Sequence, residues 1–462
     1  MKKILLWLLV LTMCISMVAS FSFVGCKKEA APAEEEAVEE AAEEEAAEEE
    51  AAEEEVAEEE AVELSGDVVY WSMYNETEPN AEVIKTAIAN FEAANPEVNV
   101  TVQWNGREVR QILKATLDAG ESIDVYENDP RWLASNIVTE DYALNLDDYY
   151  AKAYAATDGE VLKDIIIPAL LTQISGLSVD QGLYYVPNQA YVVSWYYSKS
   201  VFQNAGISEA PQTWAEFLDV CEKLKTAGVA PITIDDVYMD INMGGYLGLL
   251  KGEEWVSQLM QDKTGEMWKD PAVTQFAEAF EELYTNDYFS ANVAGNKYPA
   301  GQQELALEQA GMNLNGSWLP NELVGTTGPD FEWGQFTFPT IPNQAEDNTV
   351  IVFGSNGYAV NKNSENADAA FELITYIVSK EAQADFADTA LCMPVTVDTT
   401  WPEAIADVKP IFEGATGCFS WGSGIWDGGD FSSIVLNEFV KLISGGVTAE
   451  EFVTNMEAAA TQ

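Results

Sequence analysis

Histidine is absent from all 462 residues. That absence excludes His-based catalytic triads, His-ligated metals and the commonest general acid/base. Cations are scarce as well, with 22 Lys and Arg against 78 Asp and Glu and a formal charge of -56. Cysteine occurs five times. Beyond Cys26 only Cys221, Cys392 and Cys418 remain, an odd number that rules out a full disulfide framework. Cys221 falls on the apolar side of a predicted helix and reads as core, while a Cys392–Cys418 pair is left open.

The charge is unevenly placed. Residues 29–63 are built from Ala, Glu, Val and one Pro, and contain 19 Glu with no Lys or Arg. Their five-residue period matches neither helix nor strand. Glu pairs at i,i+4, such as Glu35 with Glu39, repel when ionised, and the few large apolar groups do not offset the entropy of ordering. Residues 26–65 therefore read as a disordered acidic tether. Without the tether and Lys2, Lys3, Lys27 and Lys28, 59 acids face 18 bases, about -41. Such a surface gains nothing from nucleic acid or from an anionic lipid face.

Before the tether comes a basic head, Met1-Lys2-Lys3, and an apolar run from Ile4 to Val24. Residues 1–25 fit a secretory signal, with an uncleaved signal anchor as the rival. Phe23-Val24-Gly25-Cys26 followed by Lys27-Lys28 resembles a bacterial lipobox, with Phe23 where Leu is usual. That resemblance implies lipidation of Cys26, whose acyl chains would anchor the protein to a membrane.

Tryptophan is abundant, with 13 residues. Trp71, Trp104, Trp318, Trp421 and Trp426 lie in stretches rich in Gly, Asn and Asp. A flat apolar face with amides and carboxylates beside it suits a sugar ring, whose C–H groups stack while its hydroxyls are hydrogen-bonded.

Along the chain, Val68–Trp71 predicts a strand, Pro79–Ala94 a helix stopped by Asn95-Pro96, and Val98–Trp104 a second strand. A helix over about 107–119 and a third strand at Ile123–Tyr126 complete a βαβαβ order, hence a mixed, mainly parallel sheet in an α/β fold. Ligands on such sheets bind beyond the carboxyl ends of the strands. Those ends carry Trp71 to Glu76, Trp104 to Arg107 and Glu127 to Asp129. Further on, Tyr191–Lys199 reads as β-rich, and Thr213-Trp214-Ala215-Glu216 as a capping box with Trp214 structural. A strand running into a polar turn over 311–320 and an alternating strand over 350–360 follow, then helices at 367–378 and after Ser379, and a glycine-rich loop at 414–430 before two final helices.

The order of Tyr185-Val186-Pro187, Tyr196-Tyr197-Ser198-Lys199, Ala205-Gly206-Ile207, Thr213–Phe217, Asn315-Gly316-Ser317-Trp318 and Gly357-Tyr358-Ala359-Val360 resembles extracellular solute-binding protein family 1, the sugar-binding components of ABC importers. The resemblance implies a type II periplasmic-binding-protein fold with a hinged cleft between two lobes. One lobe would be 66–193 plus 350–396, and the other 194–349 plus 397–462. It further implies a monomer outside the cytoplasmic membrane or in the periplasm, without a cofactor or metal, that hands a carbohydrate to permease subunits. Binding positions would be Trp71, Tyr74, Asn75, Arg107, Asp129, Asn315, Trp318, Trp421 and Trp426. Asp236 and Asp240 join them from the run Asp235–Asp240, which lacks the glycine of a calcium loop. Two rivals remain. One is a lipid-anchored glycoside hydrolase using Glu76 with Glu78, or Asp427 with Asp430. The other is a structural surface lipoprotein.

Overall fold

A computed structural model describes residues 64–462. The signal, Cys26 and the acidic tether lie outside the described residues.

The first strands follow the predicted order. Strand β1 (Gly66–Ser72) lies parallel to β2 (Val98–Trp104), in register from Gly66↔Val98 to Ser72↔Trp104, and parallel to β3 (Val125–Asn128) on its other side. The helix Pro79–Ala94 crosses between β1 and β2. It has Pro at its first turn and buries Val83, Ile84, Ala87, Ile88 and Phe91 on one face, the i, i+4 rows expected of an amphipathic helix. It ends where the Asn95 N–H caps Phe91 O, just before Pro96.

The longest strand, β4 (Val186–Ser198), spans the sheet. After the short β5 (Ala230–Ile232) come β6 (Ala310–Gly316), β7 (Trp333–Phe336), β8 (Val350–Val360) and β9 (Gly417–Phe419). The order is β2-β1-β3-β8-β4-β6-β5, with β7 on β4 and β9 on β8. The first half of β4 pairs antiparallel with β8 and its second half with β6 and β7. Pairings within the sheet are evenly divided between parallel and antiparallel.

Several local signals are realised as chemistry. Thr213 and Glu216 form a reciprocal capping box that starts the helix Trp214–Thr226. Ser379 accepts from Ala382 N to start Lys380–Ala390. Trp214 and Cys221 are buried in an apolar cluster with Phe217, Phe276, Phe280 and Phe439. A second cluster gathers Tyr70, Phe91, Tyr358, Phe371 and Ile374. It also takes in Leu319, Leu323, Trp333, Ile405 and Phe412, so the cores do not follow the expected segment boundaries. The long β4 explains this mixing: Trp195 faces the first cluster and the adjacent Tyr196 the second. Cys221, Cys392 and Cys418 are all free thiols.

Candidate functional site

Four aromatic residues from four separate elements meet at one place. Trp318 follows the end of β6 and stands over Gly316, where an added Cβ would run into the indole. It stacks with Trp421 from the glycine-rich loop, ring centres 5.7 Å apart and planes 27° apart. Tyr191 of β4 meets the two rings edge-on at 5.3 and 6.2 Å. Tyr238 tilts against Trp421 at 6.3 Å, and its hydroxyl accepts from Trp318 Nε1 at 3.1 Å. A ring inserted between two others needs a contact of about 3.5–4.0 Å on each side. Trp318 and Trp421 are too close for that and form one continuous wall rather than a sandwich. Trp426 is half exposed beside it, at 50%.

Asp240 holds this wall from behind. It is 2% exposed, at the start of the helix Met239–Lys251. Its Oδ2 accepts from Nε1 of Trp421 and of Trp426, each at 2.6 Å, and its Oδ1 accepts from Ile241 N at 2.8 Å. Burial raises its carboxyl above the ordinary value, opposed by these N–H donors. The loop reaches this position through left-handed glycines, Gly422 at φ +70° and Gly424 at φ +88°. Gly244 lies against the Gly422 carbonyl, with no room for a Cβ.

Two of the expected contact residues are engaged within the scaffold. Asp240 is committed to two indoles. Asn315 is fully buried and bonds to Gln302, Asn313 and Gly316 N. Asp236 turns elsewhere, to Lys297 at 2.8 Å and Tyr298 N at 2.9 Å.

The carboxyl ends of β1, β2 and β3 supply a second group. Trp71 is 7% exposed and packs with Val109, Leu113, Tyr126 and Leu133, so it is a core residue and not an open wall. The local reason is its place on β1, where its side chain meets the face covered by the helix Val109–Asp118. Tyr74 is also buried; its hydroxyl donates to Gln189 and accepts from Asn356 at 3.0 Å. Arg107 lies 4.9 Å over the Tyr74 ring and forks onto Glu78 at 2.9 and 3.2 Å. Asn75 gives its N–H and Nδ2 to the same Glu78. Asp129 caps the short helix Pro130–Leu133 by accepting from Arg131 N and Trp132 N at 3.0 Å.

Contacts across the site join the two groups. The Arg131 guanidinium reaches the Tyr191 hydroxyl at 3.5 Å. Burial raises the Glu322 carboxyl, opposed by hydrogen bonds from Gln302 and Tyr298 and by the charge of Arg107. Tyr191, Tyr238, Tyr298, Arg131 and Glu322 were not among the expected residues. Tyr238 sits inside the singled-out run Asp235–Asp240, whereas Tyr191 looked like any core residue of a β-rich stretch. The carboxylates that a hydrolase would pair are otherwise engaged or exposed: Glu76 binds Lys85 at 2.9 Å, Glu78 binds Arg107, and Asp427 and Asp430 face solvent.

The family model described as bacterial extracellular solute-binding protein matches residues 75–384. The multiple sugar-binding protein of Streptococcus mutans is 22% identical over 340 residues, covering 70% of this chain and 74% of that protein. Among solved structures, a chitin oligosaccharide binding protein superposes with a TM-score of 0.66 at 21% identity, over 86% of this chain and 98% of that one. A solute-binding protein, RafE, in complex with raffinose gives a TM-score of 0.67 at 18% identity, over 86% and 99%.

Proposed function

The chain belongs to the family of bacterial extracellular solute-binding proteins, and on that premise we propose that it captures a sugar or oligosaccharide for an ABC importer. The ligand lies against the Trp318–Trp421 wall, in a cleft between two lobes. The observation that carries this reading is the wall itself. Its indole N–H groups are tied to Tyr238 and Asp240, which leaves its faces to C–H groups, while Arg131 brings a guanidinium to the Tyr191 hydroxyl beside it. Closure of two lobes over a ligand is a hinge motion, and the loaded form is what a permease distinguishes from the empty one. The sugar named for the relatives above is consistent with the wall's chemistry.

Export and anchoring complete the proposal. Cys26 carries the lipid, and the acidic tether gives the binding unit reach from the membrane surface. Among the described residues no helix is long and apolar enough to cross a membrane. A thermal-shift screen over mono- and oligosaccharides tests the binding reading. A ligand at 100 times its dissociation constant adds about 2.7 kcal/mol of stability, and no shift with any sugar refutes the reading. Cys26→Ser should release the protein from membranes; continued attachment would contradict the anchor.

A further inference from the structure

The chain contains only three arginines, Arg107, Arg110 and Arg131, among its 22 basic residues. All three fall within 25 residues of one another in sequence, and all three sit in the segments that follow β2 and β3. The remaining cations are lysines spread along the whole chain. Arginine differs from lysine in presenting a planar fork of donors that matches an oxyanion in two-point contact.

The partners of these arginines matter more than their number. Arg107 is neutralised by Glu78. Arg110 is not: its Nε donates to Asn128 Oδ1 at 2.7 Å, and among the described residues it makes no ion pair. In a chain where acids outnumber bases more than threefold, this guanidinium is paired with an amide and not with a carboxylate. Arg131 is compensated only weakly, because Asp129 Oδ2 is 3.9 Å away and the other Asp129 oxygen caps a helix. Arg131 Nη2 instead lies 3.5 Å from the hydroxyl of Tyr191, the tyrosine on the edge of the aromatic wall.

Asn128 adds an independent sign of a missing partner. It is 1% exposed, its Oδ1 is taken by Arg110 and Asp129 N, and its Nδ2 has no partner. Unmet buried donors cost stability unless something else accepts from them. An oxyanion would accept from donors of this kind.

Resting on the sugar-capture reading, we propose that the solute is an anionic sugar, whose carboxylate or ester oxyanion is taken by Arg110 and Arg131 while its ring lies on the Trp318–Trp421 wall. The nearby acids do not stand against this. Asp240 is turned behind the wall onto two indoles, and Asp129 is held by backbone N–H groups. The charge of the rest of the chain slows the approach of an anion, so association is faster at higher salt, whereas the local contact weakens with salt.

Calorimetric titration of the full chain tests this with matched probes: a galacturonate trimer, the neutral galactose trimer and a sulfated galactose trimer. The inference predicts that an acidic trimer binds at least about tenfold more tightly than the neutral one, equivalent to about 1.4 kcal/mol. The galacturonate and sulfated arms decide whether the oxyanion is a carboxylate or an ester. Arg110→Gln should reduce the acidic-to-neutral ratio about tenfold, with Arg110→Lys restoring part of it. Arg131→Gln serves as the second variant, and melting curves confirm that each is folded. Equal or tighter binding of the neutral trimer, or a ratio unchanged in both Gln variants, overturns the inference and leaves sugar capture standing. Failure of all three trimers and of neutral sugars at large overturns both.

Discussion

Asp240, expected at the ligand, accepts hydrogen bonds from two indoles. The run Asp235–Asp240 stood out for its carboxylates, but a sequence does not show which acids have indole N–H groups waiting for them. Two tryptophans about 180 residues further along the chain converge on one oxygen of Asp240, each at 2.6 Å. Asp240→Ala would take the acceptor from both indoles, at about 1–3 kcal/mol for the more buried Trp421 donor, and free Trp421 from its place on the wall. The variant should bind sugar at least tenfold more weakly and shift its tryptophan emission on ligand addition less than the parent. Unchanged affinity would contradict the positioning role. Trp71 gives the opposite lesson. Gly-, Asn- and Asp-rich neighbours suggested an open face, yet a β1 residue faces whatever the next helix brings, here Val109 and Leu113. Trp71→Ala should therefore act on stability, by about 3–5 kcal/mol in denaturant unfolding, before it acts on binding.

Among elements, those with a strong local signature were legible. Pro79–Ala94, Val98–Trp104, Val350–Val360 and the Thr213 capping box were readable because periodicity, proline stops and caps are local physics. The pairing of β4 was not, since one strand with two sets of partners leaves no mark in its own residues. The break between these regimes is visible at Gln189. It adopts φ +53° at the register shift between Asn188 and Ala190, a bulge that redirects β4. Its Oε1 accepts from Tyr74 and from Asn80 Nδ2, so the bulge is tied to the loop after β1 and to the helix Pro79–Ala94. Gln189→Val would remove that acceptor and force a β-branched side chain into the left-handed region. A loss of at least about 2 kcal/mol in urea unfolding is expected. A loss below about 0.5 kcal/mol would mean that the bulge is not held by these contacts.

At the scale of the molecule, acidity is both surface and interior. Glu127 is fully buried beneath Tyr70, Ser72 and Asn188, and burial raises its carboxyl above the ordinary value near 4.5, with those hydrogen bonds opposing. The folded state thus holds this proton more tightly than the unfolded chain. Its contribution is fully present below the unfolded value and is lost as pH rises through the folded one. Relative to Glu127→Gln, the parent should gain stability as pH is lowered from 8 toward 4.5. A parallel pH profile in the two proteins would contradict this. The same acidity, together with the absence of histidine, removed whole classes of function before any element was placed. It did not point to the wall, which exists only once β4, β6, the helix Met239–Lys251 and the loop at 414–430 are brought together. The wall is where the account is most exposed to test. Sugar affinity should be measured by titration for the parent, Trp318→Ala and Trp421→Ala, with melting curves as folding controls. The parent should bind saturably, and each variant at least tenfold more weakly. Affinity unchanged in both folded variants would contradict the role of the wall.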